Sequence, residues 1–191
     1  IANGAFLDVG ASFKDTVSLV QASVGALSMR GANFAGPVTM SGAIIKGHAH
    51  LDRGASFAKT VDLNGASIGD ELSMSGASFA GPVSVNAAEI ANGAFLDKGA
   101  TFKDEVDLTD ASVGLLSMQG ASFAGPVSLN SATITGSAFL DQGASFEKAV
   151  DLTLASVGRI SMRAGRFAGP VTMKHTKVMG PAVLDDGAIF N

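Results

Sequence analysis

His48, His50 and Asp52 alternate along one short stretch of the chain. On an extended strand that spacing sets all three side chains on one side, as a transition-metal clip would need. No other segment carries histidines in this pattern, and Asp52 belongs to a wider set, so no bound metal is expected. The set is Asp8, Asp52, Asp97, Asp141 and Asp185, each in a Leu-Asp-x-Gly sequence. A calcium column would need six to eight oxygen ligands per ion, and one carboxylate every second turn is too sparse. An aspartate before a glycine corner more commonly accepts backbone N–H bonds in an Asx-type turn. Asp62, Asp107 and Asp151 make a second acidic series, alternating with Ser or Thr. Lys14-Asp15, Ala58-Lys59, Lys103-Asp104-Glu105 and Glu147-Lys148 flank that series and partly neutralise it. No Ser/His/Asp set recurs or converges at a spacing that suits nucleophilic catalysis. The expectation is therefore a non-enzymatic chain with no catalytic residue and no cofactor.

One further set could make contacts rather than chemistry. Phe6, Phe95 and Phe139 fall in the same register as His50 and Val183. An exposed apolar stripe of this kind marks a contact surface, most simply for self-association side by side. The alternative is that each Phe folds over its own corner and covers backbone there. Near the C-terminus Arg159, Arg163, Arg166, Lys174, His175 and Lys177 make the last full repeat basic. That is either a docking site for an acidic partner or ordinary surface drift.

The elements that position these residues follow from a second aromatic series. Phe13, Phe34, Phe57, Phe79, Phe102, Phe123, Phe146, Phe167 and Phe190 recur at intervals of 21 to 23 residues. The full repeat is twice that length: 1–44, 45–89, 90–133 and 134–177 align, and 178–191 begins a fifth copy. Such self-similarity marks a solenoid whose units bury their apolar faces only against one another, and the chain reads as a single domain. Within a copy, large apolar residues arrive every five or six positions, most ending a triplet such as Ala11-Ser12-Phe13 or Ala22-Ser23-Val24. Each triplet is a very short strand with its first and third side chains inward, and the glycine-rich links are corners.

Four triplets make a coil of four sides. Leu7, Met29 and Leu51 begin the first column, the Phe series is the second, Leu19, Met40 and Leu63 begin the third, and Val24, Ile45 and Ile68 the fourth. The residue two before each is mostly Ala, or Val on the third side, as a narrow interior demands. At roughly 4.8 Å per coil, about 8.5 coils give a rod on the order of 40 Å long. A hexapeptide helix would step by six residues, and an α-helical repeat would show apolar residues at i, i+3 and i+4; neither pattern is present.

Triplets such as Ala32-Asn33-Phe34, Ala66-Ser67-Ile68 and Ala111-Ser112-Val113 give the chain a resemblance to the pentapeptide-repeat proteins. It departs from them by extra corner residues and by using Ser where Asp or Asn is usual, and is similar to a divergent subgroup with coils of this length. The resemblance implies an all-β, right-handed, four-sided parallel β-helix. It also implies candidate roles: a scaffold or protein-interaction module, a DNA mimic acting on a type II topoisomerase, or the repeat region of a larger membrane-associated bacterial protein. Fold alone does not choose among them. A DNA mimic needs a strongly acidic rod face, and the acidity here is weak and mixed.

Composition sets outer limits. With 13 basic and 17 acidic residues the net charge is −4, so bulk attraction to nucleic acid is not expected. There is no cysteine, which excludes disulfides and thiol chemistry. No apolar run approaches 18 residues, so no transmembrane span or signal peptide is read, and a cytoplasmic setting is favoured. The chain starts and stops in mid-repeat, and open solenoid ends expose strand edges. It is expected to be a piece of a longer protein whose partner is another protein or a second copy of itself.

Overall fold

A computed structural model describes residues 4–184 and 186–190, so the expectation for Asp185 lies outside the described residues. Those residues contain no helix; they form thirty short strands, most of two residues, all paired in parallel. Each strand hydrogen-bonds to its counterpart about one coil away: Asn33 N–H donates to Ala11 O at 2.9 Å and Ala35 N–H to Phe13 O at 2.8 Å. The result is the expected all-β parallel solenoid.

The columns stack as the sequence implies. Nine strands from Ser12–Phe13 to Ile189–Phe190 form the second side, with Phe34 opposite Phe57 and Phe57 opposite Phe79. Neighbouring rings along the whole series lie 4.8–5.0 Å apart, centroid to centroid, and within 10° of parallel. Parallel rings at that separation are offset-stacked, an arrangement worth about 0.5–1.5 kcal/mol per pair beyond area burial. From Phe34 to Phe167 the rings are fully buried, whereas Phe190 at the end is 51% exposed. Eight strands from Val17–Ser18 to Val171–Thr172 form the third side, each placing a valine inward.

The first and fourth sides depart from the expected four separate edges, because they belong to one sheet of thirteen strands. From the third coil pair onward their corner straightens into continuous strands at Glu89–Phe95, Ser112–Ser117, Thr133–Phe139 and Ser156–Ser161. Register shifts at Ile90/Gly93, Val113/Leu116 and Ile134/Ser137 absorb the bend. A glycine column makes this possible. A Cβ on Gly136 would lie 2.7 Å from Gly114 O, and those on Gly114 and Gly158 would press still closer on carbonyls of the coil before. Without side chains the coils pass this corner close enough to keep pairing.

The interior also explains why the repeat is two coils long. On the first side the inner positions alternate small and large: Ala5 opposite Leu27, Leu27 opposite Ala49, Ala49 opposite Leu72 and Leu72 opposite Ala94. Mostly alanine was expected here; the larger residue fits because every second coil compensates, as close packing requires. The corner after the Phe column alternates too. In each Phe-Ala-Gly-Pro-Val coil the glycine sits on the backbone of the preceding coil's charged corner, Gly81 against Lys59 with 2.7 Å to a built Cβ, and Gly125 against Asp104.

Three stability outcomes are expected. Phe102→Ala should cost about 3–5 kcal/mol in denaturant unfolding, as for other deeply buried aromatics. Gly125→Ala should cost about 1–3 kcal/mol through backbone overpacking. Leu154, with φ +62° and 57% of its surface exposed, occupies the corner position that Gly65 fills two repeats earlier. Leu154→Gly should therefore stabilise by roughly 0.5–1 kcal/mol, the left-handed penalty relieved less the added chain entropy.

Candidate functional site

The outer column of the first side runs Phe6, Ser28, His50, Ser73, Phe95, Ser117, Phe139, Ser161, Val183, each directly opposite the next. The structure thus brings the expected stripe residues into one line, but it covers most of them. Phe6 is 67% exposed and Val183 lies at the open end, Phe95 and Phe139 are half-buried, and Ser28, His50, Ser73 and Ser117 are buried. Two rings double back over their own corners: a Cβ on Gly93 would lie 3.0 Å from Phe95 Cε2, and one on Gly4 would lie 2.6 Å from Phe6 Cζ. A glycine two residues before each of these phenylalanines, Gly4 and Gly93, leaves room for the fold-back.

Beneath this column lies the Leu-Asp-x-Gly series. Asp52, Asp97 and Asp141 are buried, and their carboxylates are held differently from the Asx turns expected of them. Their hydrogen-bond partners come from neighbouring coils. Ser73 Oγ donates to Asp52 Oδ2 at 2.9 Å and Ser117 Oγ to Asp97 Oδ2 at 2.8 Å, both from the coil after. From the coil before, Arg30 Nε donates to Asp52 Oδ1 at 3.2 Å, Ser75 Oγ to Asp97 Oδ1 and Gln119 Nε2 to Asp141 Oδ1 at 2.7 Å. Asp8 accepts from Ser28 Oγ and from the Arg30 amide. Each carboxylate is therefore a rivet between coils. Asx turns occur instead on the third side, where Asp62, Asp107 and Asp151 each accept the amide two residues on at 2.9 Å. Hydrogen bonds from Thr153 hold the Asp151 carboxyl below the usual carboxylate range.

The one turn that breaks the pattern contains His50. Its outward position is Ser in alternate coils and apolar in the equivalent coils, yet here a histidine is 6% exposed. Its Nδ1 lies 3.3 Å from Asp52 Oδ2 and 3.9 Å from Glu71 Oε1 without hydrogen-bond geometry to either. The His48 and His50 rings lie 4.4 Å apart, tilted by 44°. Among the described residues no group of three His, Asp or Glu side chains is disposed to hold a metal ion. Nor does the turn resemble a nucleophile and its base, because the Ser73 hydroxyl donates to Asp52. Burial lowers the His50 pKa below its ordinary value, with Arg30 and His48 acting in the same direction and Asp52 and Glu71 opposing.

Around this turn opens a cleft of about 410 Å³, lined by Arg30, His50, Asp52, Arg53, Glu71 and Lys98, with Ser73, Ser75, Gly76 and Phe95 completing its wall. Sequence reasoning missed Arg53 and Lys98. They occupy the variable position of Leu-Asp-x-Gly, where the other copies carry Val9, Gln142 and Asp186, and only that comparison could have singled them out.

The C-terminal basic residues form no patch. Arg166 lies on the second sheet, Lys177 on the fourth side, Arg159 opposite Ser137 at the straightened corner, and Lys174 and His175 at the far corner. Arg163 pairs with Asp186 at 2.8 Å. No helix among the described residues is long and apolar enough to cross a membrane. Neither a scan of protein-family models nor a search of curated proteins returns a match to this chain.

The His50 environment has a pH consequence. Its folded-state pKa is lowered, so the unfolded chain takes up the proton first as pH falls. The stability contribution is full above the ordinary histidine value of about 6.5 and is lost as pH falls from there toward the folded value. Relative to His50→Phe, the residue used in the same register at 95 and 139, the wild-type protein should lose stability between pH 7.5 and 5. A stability difference that stays flat across that range in parallel denaturant titrations would contradict the assignment.

Proposed function

We propose that this chain is a non-enzymatic, rigid scaffold that holds protein partners, or copies of itself, along a straight β-solenoid of the pentapeptide-repeat type. The observation that carries this reading is the unbroken Phe column, whose nine rings keep a 4.8–5.0 Å step from one end to the other. A continuous packed column, with carboxylate rivets between coils outside it, resists bending. The buried core runs without a break from Val24 to Phe167, which leaves the outer surface to carry function. The first side, with Phe6, Phe95, Phe139 and Val183 in line beside His50, is the contact face in this proposal.

A DNA-mimicking role on a type II topoisomerase has weaker support. The third-side aspartates alternate with Ser84 and Ser128, and they are tied down by Ser41, Thr109 and Thr153. That gives one carboxylate per two coils, or about 10 Å, far from the charge density of a duplex.

Light scattering of the parent and of a Phe6→Ser, Phe95→Ser, Phe139→Ser variant tests the contact face. The expected outcome is an associated parent and a folded variant of lower mass, its unfolding midpoint lowered by the loss of two half-buried rings. Equal monomeric masses for the two would remove self-association and leave a foreign protein as the partner.

A further inference from the structure

We propose that the cleft beside His50 binds a small oxyanion, a phosphate or carboxylate group, clasped between Arg53 and Lys98. Both side chains are exposed, and neither forms an ion pair among the described residues. Arg30, the third cation of the cleft, is already paired with Asp52. Three cations against the two carboxylates Asp52 and Glu71 leave the cleft with a net positive charge, on a molecule whose total is −4. A local field of the opposite sign to the whole is a means of drawing in an anion.

The corner geometry aims the clasp. Arg53 and Lys98 both take left-handed backbone conformations, with φ of +54° and +52°, at equivalent positions two coils apart, about 10 Å along the axis. The coil between them presents Ser75 and Gly76, and Gly76 has no side chain to fill the gap. Two long cationic side chains can therefore close over that glycine from either side. A guanidinium pairs with carboxylate or phosphate through parallel N–H donors, and a lysine ammonium adds a point charge. Phe95 supplies an apolar wall, and Glu71 and Asp52 bound the depth to which an anion can approach.

His50 sets the same cleft apart from the rest of the rod, with its Nδ1 facing Asp52 and Glu71 rather than the anion. His50 is nine-tenths buried, lines the cleft, and leaves Nδ1 without a hydrogen-bond partner. An unsatisfied buried polar group costs about 1–3 kcal/mol, and folded proteins keep few of them without a reason such as a bound ion or water. The repeat offers Phe at the same position, which would avoid the cost. The histidine stands in the same coil as Arg53, and Lys98 reaches the cleft from two coils on.

The three histidines make the test local. Imidazole NMR signals of His48 and His50 report on the cleft, and His175, in the last full repeat, serves as the internal control. Sodium phosphate and sodium acetate are titrated separately at constant ionic strength against sodium chloride. The expected result is a saturable shift of the His50 signal with phosphate or acetate, no matching shift with chloride, and an unmoved His175. Saturation with one of the two anions alone identifies the group the site takes. The double variant Arg53→Gln, Lys98→Gln installs the residue that the repeat itself uses at 142, and it should weaken binding by about tenfold or more without changing the unliganded unfolding midpoint. Absence of saturation, equal shifts with chloride, or unweakened binding in the double variant would each overturn the proposal.

Discussion

Parallel stacking at one hydrogen-bonded strand spacing is the condition to which every side chain in this molecule answers. Whatever stands at one position of a coil must tolerate its counterpart about 4.8 Å above and below. Flat aromatic rings tolerate it well, because offset stacking is favourable at that distance. Beside the continuous Leu/Met column of the first side, the second inward position alternates alanine with leucine, which limits the bulk per coil. Bare carboxylates do not tolerate the spacing, because like charges at that distance repel. The Leu-Asp-x-Gly aspartates accordingly come only every second coil and are separated by the hydroxyls that bond to them. The two-coil repeat is thus a consequence of the one-coil spacing: it is the shortest period at which large side chains and charges can be interleaved with small and neutral ones.

The same condition acts on the backbone at corners. Where the fourth side turns into the first, successive coils approach too closely for a Cβ, and glycines at 114, 136 and 158 keep the carbonyls clear. Where the Phe side turns into the third, only every second coil needs a glycine, because the charged corner of the preceding coil provides the backbone surface against which it sits. At the corner after the third side no close contact forces the choice. There the left-handed conformation is met by Gln21, Asp110, Ser131, Leu154 and His175 as well as by glycine. These non-glycine corners carry strain that packing elsewhere must offset.

Much of this was legible in the residue order, and the reason is physical. Inward positions obey a strict period because a filled, narrow core admits few side chains, so the Phe column and its partners at Leu19, Val24 and Leu7 announce their register directly. What was not legible depends on how side chains bend after leaving the backbone. Triplet alternation marks Phe95 as outward, yet it does not decide between a free ring and one folded back over Gly93. Alternation likewise marks Asp52 as near a corner, but the choice between its own amides and a neighbouring serine is made between coils, at a sequence distance of about one turn. The straightened corner at Glu89–Phe95 was hidden for a related reason. It depends on how adjacent coils pass one another, with Gly69 and Gly114 on either side of Ala91 and Asn92, a relation that no single triplet displays.

A repeat of this regularity also changes how an irregular residue is weighed. In an ordinary domain a buried histidine with an unpaired nitrogen has no internal control. Here the same site occurs in other coils, filled by phenylalanine, serine or valine, and none of those choices leaves a buried polar atom unmatched. The preceding corner offers the same comparison: Val9 and Gln142 show that the scaffold does not require Arg53 or Lys98. Because other repeats fold without these residues, their presence around one cleft is not explained by the needs of the rod. Departures confined to a few neighbouring coils add a local charge and a local unsatisfied group while leaving the stacked columns intact. That is the form in which a solenoid can acquire a site at little cost to its fold, since each coil depends chiefly on its immediate neighbours.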